Sequence, residues 1–138
     1  MEINELTGSV IESAIKIHST IGPGCYEKVY EEILCYELNK KGLQIDRQLV
    51  MPINYEDLFI EHAYKVDLII EKQLIIEVKS VDYLLAVHYK QLMTYLKLLH
   101  IKDGMLLNFK VEQMKEGIHR VFNNFVKPSF SPSSHLNS

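Results

Sequence analysis

Cysteine is scarce in this chain. Only Cys25 and Cys35 occur among its 138 residues, and neither a CxxC pair nor a compact Cys/His cluster accompanies them. A disulfide framework or a structural zinc site is therefore not expected. Free thiols are typical of a reducing compartment, so we expect a cytoplasmic protein.

Long apolar runs are also missing. No run of eighteen apolar residues occurs, so we expect no membrane-spanning segment and no membrane partner. The first ten residues, MEINELTGSV, lack the basic start and apolar core of a signal peptide. The motifs GxxxxGK[ST], GxGxxG and GxSxG are absent as well, which argues against a nucleotide cofactor and against serine hydrolysis.

A basic excess, the usual signature of nucleic-acid binding, is absent too. The formal net charge is -3, whereas domains that bind phosphate backbones usually carry surplus lysine and arginine. Any nucleic-acid site must therefore be a local basic groove, bind with modest affinity, or depend on a partner. Lys65, Lys90 and Lys97 are candidates for such local charge, although each is equally well explained as a solvated lysine.

The apolar periodicity predicts one α+β or α/β domain over residues 1–126, followed by a disordered Pro/Ser-rich tail over 127–138. The first helix carries an apolar stripe from Ile3 to Ile21, with Asn4 as its expected N-cap. The last segment alternates like a strand, although a helix is an alternative. The order α-α-β-β-β-α-β-(β) predicts a mixed central β-sheet flanked by helices, with helices at 25–41 and 87–100, strands at 43–55, 62–70, 74–81, 105–109 and 118–122, and a helical turn at 112–116.

Charged residues interrupt two apolar strands that form a hairpin. Glu77 and Lys79 are two residues apart in the second strand and so share a face. A three-residue loop over 71–73 would pair Ile70 with Leu74, and hence Asp67 with Glu77. A two-residue loop would place Asp67 on the other face. The loop lacks the Asn-Gly or Asp-Gly signature of two-residue turns, which favours the longer loop.

These charges have two interpretations. They could mark the solvated face of a half-exposed strand. However, Leu74, Ile75 and Ile76 are apolar on both faces, which indicates a central strand, where charges are costly unless they pair or bind metal. Two carboxylates across a hairpin repel each other unless a cation lies between them, and oxygen ligands of this kind suit Mg²⁺.

The pattern now resembles a known family. Asp67, nine residues, then Glu77-Val78-Lys79 is similar to the D-x(n)-ExK signature of the PD-(D/E)XK nuclease superfamily, with Val66 where a proline is usual. Gly24-Cys25-Tyr26-Glu27-Lys28-Val29-Tyr30 resembles the motif of the GxxExxY proteins within it. The resemblance covers about residues 5–123 and implies a restriction-endonuclease-like core.

The resemblance implies roles for the hairpin residues. Asp67, Glu77 and the backbone carbonyl of Val78 would bind Mg²⁺ or Mn²⁺. Lys79 would orient the attacking water and stabilise charge in the transition state. Glu27, on the second helix, would complete the acidic cluster, although a carboxylate there would also complement the helix dipole.

The resemblance also implies a substrate side. Gln91 and Tyr95, four apart on one helix, resemble the QxxxY element that lines the substrate side of RecB-like nucleases, and the alternative is packing on the sheet. Tyr30 and His88 are further candidates for substrate contact, with a core tyrosine and a structural histidine as the alternatives. We expect Glu31 and Glu32 to lie on a solvated helix face.

Two functions compete at this stage. The first is a metal-dependent nuclease, with DNA favoured over RNA. The second is a nucleic-acid- or protein-binding module without turnover. The complete set of Asp67, Glu77 and Lys79 favours the nuclease, and the acidic net charge favours the module or a need for partners. A homodimer is expected, because relatives of this size often pair to hold a duplex.

Overall fold

The computed structural model describes residues 1–124, and the tail predicted over 127–138 lies outside them. The order of elements is the predicted one, and the last segment is a strand. The elements are α1 (Ile3–Ile21), α2 (Glu27–Lys40), β1 (Ile45–Tyr55), β2 (Leu58–Ile70), β3 (Leu74–Lys79), α3 (Ala86–Leu99), β4 (Asp103–Asn108), a 3-10 turn (Met114–Gly117) and β5 (Ile118–Phe122).

The five strands form one mixed sheet in the order β1-β2-β3-β4-β5. β3 and β4 are parallel and are connected through α3, while the other neighbouring strands are antiparallel. This is the predicted mixed α+β architecture. Within the described residues, no helix has both the length and the apolar character needed to cross a membrane.

Two apolar cores sandwich the sheet. Leu6, Val10 and Leu34 from α1 and α2 pack on one face, against Leu68 and Ile76. On the other face α3 packs against a separate set of strand side chains, including Val66, Ile75 and Leu106. Because β3 is buried on both faces, it is the central strand that its apolar sequence predicted.

Several element boundaries differ from the predictions. Glu2, not Asn4, caps α1, and its side chain accepts a hydrogen bond from the Asn4 amide. The predicted turn at Asp103 and Gly104 is instead the start of β4. Gly42 ends α2 as expected, with a φ of 79° that favours glycine.

The hairpin of β1 and β2 is longer than predicted. Its turn lies at Glu56 and Asp57 as expected, but β2 begins at Leu58, four residues earlier than the predicted start at His62. β1 is an edge strand, and its register with β2 shifts between Met51 and Ile53. Pro52 lies at that shift, which agrees with the edge or bend that its missing N–H predicted.

Candidate active site

The loop between β2 and β3 has the predicted three residues. Ile70 pairs with Leu74, and Leu68 pairs with Ile76. Glu71 and Lys72 both have positive φ, near 51° and 55°, and the Gln73 amide closes the turn on the Ile70 carbonyl. Asp67 and Glu77 are therefore the next cross-strand positions on adjacent strands.

At Asp67 and Glu77, hydrogen bonds to side-chain carboxylates replace the backbone–backbone hydrogen bonds between β2 and β3. Glu77 Oε2 accepts a hydrogen bond from the Asp67 amide at 2.9 Å. Asp67 Oδ2 accepts one from the Val78 amide, also at 2.9 Å. The regular pairing of β2 with β3 ends at Leu68 and Ile76, so the strands separate where the carboxylates are inserted. Each carboxylate is held by the backbone of the opposite strand.

β1, the strand next to β2, is irregular at the position opposite Asp67. Gln48 lies opposite Asp67 but is missing from the β1–β2 pairing, and its φ is 54°. On β2, Val66 packs in the α3-side core and Leu68 in the α1/α2-side core, although they are two residues apart. A regular strand would keep both on one face. At Asp67, β2 therefore reverses which face of the sheet its alternate side chains occupy. The prediction from strand alternation and loop length did not include this reversal.

Burial sets the protonation of the two acids. Desolvation, followed by the charge of Asp67, raises the pKa of Glu77 to about 8. Desolvation also raises the pKa of Asp67, opposed by the hydrogen bond from the Val78 amide. The charges of Glu31 and Glu27 add to the raised pKa of Asp67. Buried acids with raised pKa values are typical of functional sites.

Lys79 lies beside these acids at the end of β3. Its Nζ is 4.0 Å from Glu77 Oε1, and its side chain is only 14% exposed. The same Nζ donates to Gln91 Oε1 at 3.5 Å. A glutamate on the strand and a glutamine on α3 therefore hold the ammonium group between them.

α3 contributes Gln91 and Tyr95 to the same region. Tyr95 is buried, and its pKa is raised first by burial and then by the charges of Glu77 and Asp67. Its ring also meets Tyr64 edge to face. Tyr95 packs on the sheet, as the packing alternative predicts, and the exposed Gln91 contacts Lys79, while substrate contact by either residue stays a prediction.

His88 and Tyr30 have structural contacts. His88 Nδ1 accepts a hydrogen bond from the Leu85 amide at the start of α3, so the ring caps the helix. Tyr30 is fully buried and stacks on Phe109, and its hydroxyl donates to the Gly22 carbonyl. These contacts favour the alternative interpretations, a structural histidine and a core tyrosine.

α2 brings two glutamates to the site. Glu27 Oε2 accepts a hydrogen bond from the amide of Ser80, the residue after Lys79. Glu31 lies one helical turn further on and is buried, at 5% exposure, so the expectation of a solvated Glu31 is wrong. Its carboxylate is bound by Arg47 Nε at 2.8 Å and by Gln48 Nε2 at 2.6 Å. These β1 partners satisfy a charge that burial would otherwise penalise.

The segment after β3 is fixed by Asn108. The buried Asn108 side chain accepts from the Val81 amide and donates to the Val81 carbonyl. It also accepts from the Lys110 amide. This amide clamp lies directly after Lys79 and holds the chain that leads from the site into α3. The role of Asn108 was not predicted from the sequence, because a polar residue at a strand end has no distinctive pattern.

An open cavity of about 680 Å³ lies between α2 and the strands β1 and β2. It contains Asp67 and three α2 glutamates, together with three cations. Lys65 is one of those cations, as the sequence suggested, whereas Lys90 and Lys97 are not among the lining residues. The residues that line it are Glu27, Lys28, Glu31, Glu32, Arg47, Gln48, Lys65 and Asp67.

The donor set fits a hard divalent cation. Among residues 1–124, no group of three or more His, Cys, Asp and Glu side chains is arranged as a metal-binding cluster. Two carboxylates with a backbone carbonyl are nevertheless sufficient for Mg²⁺, which keeps several waters and needs few protein ligands. The raised pKa of Glu77 reflects buried negative charge that a cation would compensate.

Comparison with known proteins gives one result. A family model described as the PD-(D/E)XK nuclease superfamily matches residues 4–121. No curated protein and no solved structure matches the chain. The matched range includes every residue of the hairpin, of α2 and of α3 discussed above. The chain therefore belongs to the PD-(D/E)XK nuclease superfamily.

Proposed function

We propose that this protein is a nuclease that hydrolyses phosphodiester bonds with Mg²⁺ or Mn²⁺, with DNA favoured over RNA. The observation that carries the proposal is the insertion of two carboxylates between β2 and β3, the buried one of Glu77 and the half-buried one of Asp67, with the ammonium group of Lys79 beside Glu77. Acids placed in this way weaken the fold unless a cation compensates their charge, so their presence favours a functional role. The superfamily relationship supports the same conclusion.

Asp67, Glu77 and the carbonyl of Val78 would hold the ion in this proposal. When bound, the metal supplies Lewis-acid activation of water and neutralises charge on the phosphate. Glu27 lines the same cavity as Asp67, and we propose it as an additional acid of the metal site. Its place in the GxxExxY-like segment supports assignment to that subfamily.

Lys79 supplies the chain's own cation. Its Nζ would orient the attacking water and compensate the negative charge that develops on the phosphoryl oxygens. Gln91 positions the ammonium group through its Oε1 atom. The acids thus bind and orient, while Lys79 acts mainly in the transition state.

The alternative is a binding module that uses the same fold without turnover. The net charge of -3 favours it, since the chain as a whole does not attract nucleic acid. The two functions differ in one observable, because a module would cleave nothing with any divalent ion.

The discriminating experiment is a cleavage screen over single-stranded, duplex and branched DNA and RNA with Mg²⁺ or Mn²⁺. Wild type should cut at least one DNA substrate, and Lys79→Ala should reduce the rate by about 10²–10³-fold while keeping the fold. If wild type and Lys79→Ala are equally active, the activity comes from a contaminant. If neither cuts any substrate, the module is favoured.

We also propose a homodimer and a cytoplasmic location. The far end of the β1–β2 hairpin supports the dimer, because Tyr55, Leu58 and Phe59 are apolar and 66%, 57% and 58% exposed. An exposed apolar patch of this kind is typical of an interaction surface. The two free cysteines support a reducing compartment.

A further inference from the structure

Arg47 has an unusual environment for a surface arginine. Its Nε donates to Glu31 at 2.8 Å, and Glu31 is buried while the Arg47 side chain is 34% exposed. No other partner of the guanidinium occurs among residues 1–124. The buried carboxylate therefore fixes the group through one nitrogen and leaves both terminal nitrogens for a second anion.

The exposed part of Arg47 lines the same cavity as Asp67. Lys28 of α2 and Lys65 of β2 line it as well, so the cavity carries three cationic side chains. The same lining carries four carboxylates, those of Glu27, Glu31, Glu32 and Asp67, so the positive charge offered to a phosphate is confined to these three side chains.

Glu31 also connects Arg47 to the proposed metal ligands. Gln48 Nε2 is 2.6 Å from Glu31 Oε1 and 3.5 Å from Asp67 Oδ1. The positive φ of Gln48 directs the amide into this position at the cost of backbone strain. A rigid chain of hydrogen bonds thus sets the distance between the guanidinium and Asp67.

We propose that Arg47, oriented by Glu31, binds a phosphate of the nucleic-acid strand next to the one that is cleaved. The proposal rests on the proposed function for the identity of the ligand. Arg47 recognises a backbone phosphate and so contributes to affinity without base preference. Lys28 and Lys65 add charge around it.

The test measures oligonucleotide affinity in a Lys79→Ala background with Mg²⁺, so that binding is separated from turnover. Fluorescent single-stranded and duplex DNA are titrated over a range of salt concentrations. Arg47→Ala should weaken binding by roughly 10- to 100-fold. It should also make the slope of log affinity against log salt shallower by about 0.7 for single strands or about 0.9 for duplex.

Arg120→Ala is the matched control. Arg120 is 32% exposed and pairs with Asp103 at 3.3 Å, but it lies on β5 and does not line the cavity. Because Arg47→Ala leaves Glu31 buried without its partner, the double variant Glu31→Gln/Arg47→Gln is measured as well. It removes both charges together and should show the same change in salt slope.

A structural role for Arg47 would lower stability but leave the salt slope unchanged. The proposal is overturned if both Arg47 variants keep the slope of the Lys79→Ala parent, or if Arg120→Ala shows the same loss.

Cleavage by the protein with Lys79 intact is measured in parallel. If it cleaves while Arg47 has no effect, the phosphate subsite is wrong and the nuclease stands. If it cleaves nothing but the Arg47 effect is present, the subsite stands and the nuclease is wrong. If no oligonucleotide binds at all, both proposals are wrong.

Discussion

Glu77 is the side chain with the clearest cost to the fold. Glu77 is 2% exposed and lies beside a second, half-buried acid, Asp67. The pKa of about 8 means that folding favours the protonated form, because the ordinary value is 4.5. In the metal-free protein, ionisation of Glu77 therefore opposes folding, and the effect grows as pH rises between those two values.

This predicts a loss of stability as pH rises, with Glu77 as the larger contributor and Asp67 as the smaller one. Metal-free wild type should lose up to about 1.4 kcal/mol of unfolding free energy per pH unit from Glu77 between pH 4.5 and 8. Glu77→Gln should remove most of that loss. Urea unfolding from pH 5 to 8.5 measures the difference in unfolding free energy between the two proteins. If the unfolding free energies of wild type and Glu77→Gln change with pH in parallel, Glu77 is ionised in the folded protein at no cost to stability.

The placement of the main candidate residues was predictable from sequence because local rules control it. Strand alternation places Glu77 and Lys79 on one face, and the three-residue loop pairs Asp67 with Glu77. Glu31 was not predictable in the same way. Its burial depends on Arg47 and Gln48 from β1, which lie sixteen and seventeen residues away in sequence. No local pattern reports such partners.

At the scale of elements, the end of β4 supports the segment that follows Lys79. Asn108 holds Val81 by two hydrogen bonds. Gly117 lies against the carbonyl of Asn108, and a Cβ at that position would come within 1.9 Å of the oxygen. The 3-10 turn thus requires glycine because of a close approach to backbone, and not because of its own φ.

Gly117→Ala should therefore disturb the site from a distance. We expect a loss of about 1–3 kcal/mol in unfolding free energy from the forced backbone shift, with lower turnover because the Asn108 clamp moves. Gly8→Ala is the control, since a Cβ there meets nothing within 4 Å. Gly8 lies in the exposed face of α1, so its replacement should stabilise by about 1 kcal/mol. Equal stability of Gly117→Ala and wild type in thermal unfolding would show that the turn moves freely.

The helices and strands were predicted from periodicity, and the differences occur where tertiary contacts decide. The start of β2 was missed because residues 58–61 are exposed on a hairpin that extends from the core, so burial imposes no alternation on them. The face change at Asp67 was missed because it follows from the irregular backbone of Gln48 on the neighbouring strand.

At the scale of the whole molecule, charge and exposed apolar surface suggest different partners. The net charge of -3 gives the protein no general attraction to nucleic acid. We therefore expect the contacts with nucleic acid to be made at Lys28, Arg47 and Lys65. The end of the β1–β2 hairpin is instead apolar, with Glu56 and Asp57 at its turn. Its character fits a protein surface, and a second copy is the proposed partner.

The dimer is tested by one charge placed in that patch. Leu58→Lys should convert a dimer to a monomer in light scattering at micromolar concentration, because a lysine cannot be buried there without a partner. Tyr36→Lys serves as the control, since Tyr36 is 61% exposed on α2, away from the hairpin. A monomeric wild type, or a dimer that survives Leu58→Lys, would contradict this interface.

The central claim is that Asp67 binds the metal while Lys79 acts on the reaction. Calorimetric titration of Mn²⁺ into wild type, Asp67→Asn and Lys79→Ala, with cleavage assayed on the same preparations, tests it most directly. Asp67→Asn should lose metal binding and cleavage together, and its metal-free stability should hold or rise because repulsion between buried acids is relieved. Lys79→Ala should still bind Mn²⁺ while its cleavage rate falls by about 10²–10³-fold. The account is contradicted if Asp67→Asn binds Mn²⁺ as wild type does, or if it costs the metal-free protein several kcal/mol as a structural ion-pair partner would.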